Sequence, residues 1–108
     1  MSYTDQLLQF IKNCPTAINT VDTVKKILRE KGFTELSEAD AKSFSDGGCY
    51  FVTRGDSSLI AFKGGRDAEG FTVAASHTDT PAFKVTGINE RGGAYASVPV
   101  EKYGGSIL

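Results

Sequence analysis

Apolar positions recur at helical spacing in the first third of the chain and then switch to the denser runs typical of strands. Leu7, Leu8 and Ile11 share one helical face, Ser2, Thr4 and Asp5 offer a polar start, and Asn13 with Pro15 supplies a stop. The spacing predicts a short amphipathic helix. Val21, Val24, Ile27 and Leu28 line a second, which is expected to begin near Asn19 or Thr20 and to close on Gly32 as a left-handed cap. Lys25, Lys26, Arg29, Glu30 and Lys31 occupy its other face, and this mixture of acid and base reads as a solvated surface, not a binding patch.

From Gly48 onward, aromatic and branched residues dominate. Cys49 to Thr53 and Leu59 to Phe62, separated by Arg54, Gly55 and Asp56, predict a hairpin. Gly64 to Gly70 is a polar loop, and Phe71 to Ala75 is a short apolar run suited to a central strand covered on both faces. Phe83, Val85 and Ile88, a Gly92-Gly93 turn and then Ala94 to Val100 predict a second hairpin, with Pro99 tolerable only at an edge. Two helices followed by strands imply a mixed α/β arrangement. The ending at Tyr103-Gly104-Gly105-Ser106-Ile107-Leu108 offers no closing element, so the expectation is a larger domain of which this is a part.

With 108 residues, 40% of them hydrophobic, the chain is long enough for one globular domain with an apolar core. Twelve basic and thirteen acidic residues nearly cancel, and no basic run could neutralise a nucleic-acid backbone. The first ten residues lack the cationic stretch and apolar run of a secretory signal, and no long apolar segment suits a membrane, so the chain reads as cytoplasmic. Cys14 and Cys49 are too few for a disulfide framework and too far apart for a CxxC motif, and are expected to be reduced and partly buried.

Candidate chemistry concentrates at His77, the only histidine, which follows the run Phe71 to Ala75 and precedes Asp79 by two positions. In open α/β sheets the ligand crevice lies outside the carboxyl ends of the strands, where His77 is predicted to sit. Residues i and i+2 of an extended chain point the same way, so the Asp79 carboxylate can hold one nitrogen of the imidazole. A metal-bound histidine needs such an acceptor. A hydrogen-bonded loop histidine would show the same spacing, and one imidazole with one carboxylate cannot close a metal site. Gly64-Gly65 and Gly104-Gly105 lack a phosphate-loop ending, and Ser57, Ser58 and Ser76 lack a GxSxG setting.

The run from Ala74 through Ser76-His77-Thr78-Asp79-Thr80-Pro81 to Val85 resembles the signature of the aspartyl aminopeptidase family, metallopeptidase family 18. Tyr50 to Arg54 with Ser58 to Phe62 is similar to that family's first hairpin, and Val100-Glu101-Lys102-Tyr103-Gly104-Gly105 resembles the segment leading to its dimerisation insertion. Ala17-Ile18-Asn19 stands where relatives usually carry an early histidine. The resemblance implies the amino-terminal portion of an α/β, zinc-peptidase-like (phosphorylase/hydrolase-like) fold, two helices then a mixed sheet. The insertion domain and the rest of the catalytic domain would lie outside residues 1–108. It implies His77 as one ligand of a two-zinc site, Asp79 as its support, and the remaining ligands and general base beyond Leu108. The implied activity is release of amino-terminal aspartate or glutamate from peptides by a large cytoplasmic homo-oligomer, with the 108-residue chain inactive alone. A non-catalytic interaction module derived from the same scaffold, docking through the edge near Val98 to Leu108, is the alternative.

Overall fold

A computed structural model describes residues 2–40, 45–65, 69–93 and 95–105. Helix α1, Tyr3–Asn13, begins with a reciprocal cap: the Ser2 hydroxyl accepts from the Asp5 amide, and the Asp5 carboxylate accepts from the Ser2 amide. Helix α2 spans Ala17–Glu30 and starts earlier than the apolar spacing predicts. Thr16 is the reason, because its hydroxyl accepts from the Asn19 amide at 3.2 Å and so caps the helix one turn upstream. Gly32, at φ 81°, ends α2 as expected, and the Phe33 amide reaches back to the Leu28 carbonyl.

Three strands form the first sheet, in the order β1 (Thr34–Glu35), β2 (Cys49–Arg54), β3 (Ser58–Lys63). β1 runs parallel to β2, and β2 pairs antiparallel with β3 around a turn in which Gly55 and Asp56 both take positive φ. The sheet is mixed, as the sequence pattern implies. β1 is too short for any periodicity to announce. Val21 of α2 and Tyr50 and Phe51 of β2 are the buried hydrophobic residues, so the packed core lies at the junction of α2 with the first sheet. Cys14 and Cys49 are free and half-buried.

The polar face of α2 is not wholly solvated. Lys25 reaches Glu35 at 2.8 Å and Arg29 joins the same carboxylate while stacking 6.0 Å from the Phe51 ring centre. These contacts tie α2 to β1. Lys25, with help from Arg29, holds the Glu35 carboxyl below the usual glutamate range. A depressed carboxyl stabilises the fold above its unfolded pKa, and that contribution is lost as pH falls through the lower folded value. Amide protection in the last turn of α2, measured by hydrogen exchange on the full-length protein, is therefore expected to drop on acidification below about pH 4.3. Glu35→Gln should lower it at neutral pH by an amount equivalent to about 1 kcal/mol or less and remove the acid-dependent step. An unchanged acid response in Glu35→Gln would assign the step to another group.

The second hairpin is longer than the sequence pattern suggests. β4 (Ala82–Val85) pairs antiparallel with β7 (Val100–Tyr103), and β5 (Asn89–Arg91) pairs with β6 (Tyr95–Ser97) around Gly92 and Gly93, both at positive φ. The register changes by one residue between the two ladders, so Gly87 and Ile88 stand opposite Val98 alone, as in a bulge. Pro99 sits beside this bulge, where its missing amide breaks no pairing and its carbonyl accepts from the Thr86 amide at 2.9 Å.

One expectation is corrected. Phe71 to Ala75 forms no strand: Phe71 is 97% exposed and Val73 81%. An apolar run becomes a central strand only with a hydrogen-bonded neighbour on each edge, and no described strand pairs with it. The chain is also not compact by itself. It exposes 9223 Å², against about 5,800 Å² for a compact protein of this mass. Its radius of gyration is 19.6 Å, against about 13 Å for a compact domain of this length. Leu7, Leu8, Ile11, Phe71, Val73, Phe83, Ile88 and Tyr95 are all exposed.

Candidate active-site segment

His77, Thr78 and Asp79 lie on the connection between the two hairpins, and each side chain is engaged differently. The Thr78 hydroxyl donates to the Ser57 carbonyl at 2.8 Å, fastening the segment to the turn between β2 and β3. Asp79 accepts from the Tyr103 hydroxyl through Oδ2 at 2.7 Å, fastening it to the end of β7. Gly104, at φ 87°, lies against Pro81, and a Cβ there would come within 3.1 Å of the Pro81 Cα. The segment is thus held from both sides.

His77 and Asp79 are in contact, although Thr78 between them is a bend and not the extended chain that the spacing argument assumes. The imidazole Nδ1 lies 2.7 Å from the Asp79 main-chain oxygen and 3.1 Å from Asp79 Oδ1. A carbonyl and a carboxylate only accept, so Nδ1 carries the hydrogen and, in neutral imidazole, Nε2 keeps its lone pair. The His77 side chain is 76% exposed. This leaves a histidine with one nitrogen fixed by an aspartate and the other open.

The Tyr103 hydroxyl, foremost, holds the Asp79 carboxyl below the usual aspartate range, and Asp79 in turn pushes the Tyr103 phenol up. Asp79 is therefore an anion near neutral pH, as an acceptor for a histidine should be. Sequence reasoning singled out neither Thr78 nor Tyr103. The Tyr103 contact depends on β7 folding back so that Tyr103 stands opposite Ala82, three positions from Asp79. Only the register of the second hairpin could have revealed it.

Among the described residues, no three histidine, cysteine, aspartate or glutamate side chains gather as a metal site. The donor set nevertheless fits a share in one: an accessible imidazole with its far nitrogen held by a carboxylate is the usual form of a metal-binding histidine.

A mixed α/β scaffold bearing such a histidine is compatible with a share in a metal site, and comparison with known proteins supplies the family. The chain belongs to the Aminopeptidase I zinc metalloprotease (M18) family, whose description matches residues 10–108. It is 40% identical over 111 residues to aspartyl aminopeptidase 4 of Saccharomyces cerevisiae, covering 97% of this chain and 23% of that protein. It is 36% identical over 113 residues to a probable M18 family aminopeptidase 2 of Clostridium novyi, covering 100% and 26%. Among solved structures, Ape4 in its complex with Nbr1 superposes with a TM-score of 0.82 at 36% identity, covering 94% of this chain and 21% of that one. Chaetomium thermophilum mApe1 gives 0.81 at 30%, covering 98% and 25%. The chain thus spans about a quarter of the curated relatives it matches. The two-helix and mixed-sheet arrangement is the one these structures share. No helix among the described residues is long and apolar enough to cross a membrane.

Proposed function

We propose that residues 1–108 form the amino-terminal portion of the catalytic domain of a zinc-dependent aminopeptidase that releases amino-terminal aspartate or glutamate from peptides. The observation that carries this reading is the His77 imidazole, which is exposed and held at Nδ1 by Asp79 with Nε2 free. Family membership and the names of the aspartyl aminopeptidase relatives support the choice of metal and of acidic substrates. The remaining ligands, the general base, the insertion domain and the acidic-residue pocket belong to the rest of the full-length enzyme, which works as a cytoplasmic homo-oligomer.

In this reading the Nε2 lone pair of His77 would hold one of two zinc ions. Asp79 retains the hydrogen on Nδ1, fixing the tautomer and making the imidazole a stronger donor. Thr78 sets the height of the segment above the first hairpin. Zinc, when bound, supplies Lewis-acid polarisation of the scissile carbonyl and acidification of a water. The exposed apolar surface of both hairpins and of Phe71 to Ala75 is the face that the remainder of the enzyme covers.

The test is hydrolysis by the full-length enzyme of matched substrates bearing amino-terminal aspartate, glutamate or leucine. Acidic residues should be released at least tenfold faster, chelation should abolish the activity, and zinc should restore it. Equal rates for leucine would remove the acidic specificity, and full activity after exhaustive chelation would remove the metal.

A further inference from the structure

We propose that Tyr103 is a positioning residue for the metal site, acting on His77 through Asp79. The inference rests on the reading of His77 as a metal ligand and adds to it a residue from a different hairpin. The Asp79 carboxylate is pinned at both oxygens, with Oδ2 accepting from the Tyr103 hydroxyl at 2.7 Å and Oδ1 lying 3.1 Å from His77 Nδ1. A carboxylate held at one oxygen alone rotates about its Cβ–Cγ bond, and the imidazole it steers then samples a wider arc. Held at both, it acts with the Asp79 main-chain oxygen, 2.7 Å from Nδ1, to fix the ring plane and hence the direction of the Nε2 lone pair. The hydroxyl donates a charge-assisted hydrogen bond, so it constrains the carboxylate without neutralising it.

The backbone around Tyr103 is built to deliver that hydroxyl. Pairing of Ala82 with Tyr103 brings the strand end alongside the segment, and Gly104, at a φ that disfavours any side chain, allows the chain to lie against Pro81. Tyr103 lies 26 residues after His77 in the sequence, yet two hydrogen bonds connect them. The ring of Tyr103 is half exposed, so the hydroxyl contact, not burial, is what the residue contributes here.

The experiment uses the full-length enzyme with zinc affinity measured by competition against a chelator, alongside the melting temperature of the metal-free protein. Tyr103→Phe removes one oxygen and should weaken zinc binding by about tenfold, the lower end for loss of an outer hydrogen-bond partner, with the metal-free melting temperature unchanged. On an Asp79→Ala background the same substitution should add no further loss, because the group through which it acts is gone. A purely structural role would instead lower the melting temperature or add its effect to that of Asp79→Ala, and either result overturns the proposal. Wild-type zinc affinity in Tyr103→Phe while His77→Ala loses its zinc would defeat the role of Tyr103 and leave His77 standing. Wild-type affinity in His77→Ala would defeat the underlying reading, and the inference with it.

Discussion

His77→Ala in the full-length enzyme is expected to lose bound metal and turnover together, and excess zinc should restore little of either. The substitution deletes the one imidazole in residues 1–108, and no cluster of three potential ligands stands elsewhere among the described residues. Asp79→Asn should fail differently. It keeps the shape of the side chain but removes the negative charge that holds Nδ1–H, and such changes typically cost about 10- to 100-fold in metal affinity or activity. Added zinc should therefore rescue Asp79→Asn in part. The measurement is hydrolysis of an acidic aminoacyl substrate against free zinc for both variants, with bound metal counted in parallel. Identical zinc responses for the two would mean that His77 and Asp79 do not divide the work between ligand and support.

The isolated 108-residue chain is expected to self-associate. Its exposed area exceeds that of a compact protein of equal mass by roughly 3,400 Å², and much of that surface is apolar. Among the described residues no strand pairs with the outer edges of β3 and of the second hairpin, which adds a backbone route to association. With one imidazole and one neighbouring carboxylate, the same chain should bind zinc no better than a peptide containing a single histidine. Light scattering, calorimetry and isothermal titration on one preparation check both points. A monodisperse, sharply melting monomer with a stoichiometric zinc site would favour a self-sufficient interaction module over part of an enzyme.

Much of this was legible in the residues before any coordinates. The helix pair follows from the spacing of Leu7, Leu8, Ile11 and of Val21, Val24, Ile27, Leu28, because helical period is a property of neighbouring positions. Both hairpins follow from glycine turns flanked by strand-forming residues. A separation of two makes the contact of His77 with Asp79 possible, but the bend at Thr78 brings it about. What the sequence hid depends on distant partners or on one side chain. Thr16 moved the start of α2 through a single hydroxyl. Phe71 to Ala75 has the composition of a buried strand, but composition does not supply the neighbours that make one. Tyr103 reaches Asp79 only through a ladder whose register shifts at the bulge between Thr86 and Asn89.

The family resemblance and the geometry meet at a single atom, Nε2 of His77. Collecting diffraction from the zinc-loaded full-length enzyme on either side of the zinc absorption edge locates the metal directly. The account predicts an anomalous peak within bonding distance of His77 Nε2, with Asp79 still on Nδ1 and Tyr103 still on Asp79. Zinc held entirely by other residues, with His77 left facing solvent, would contradict it.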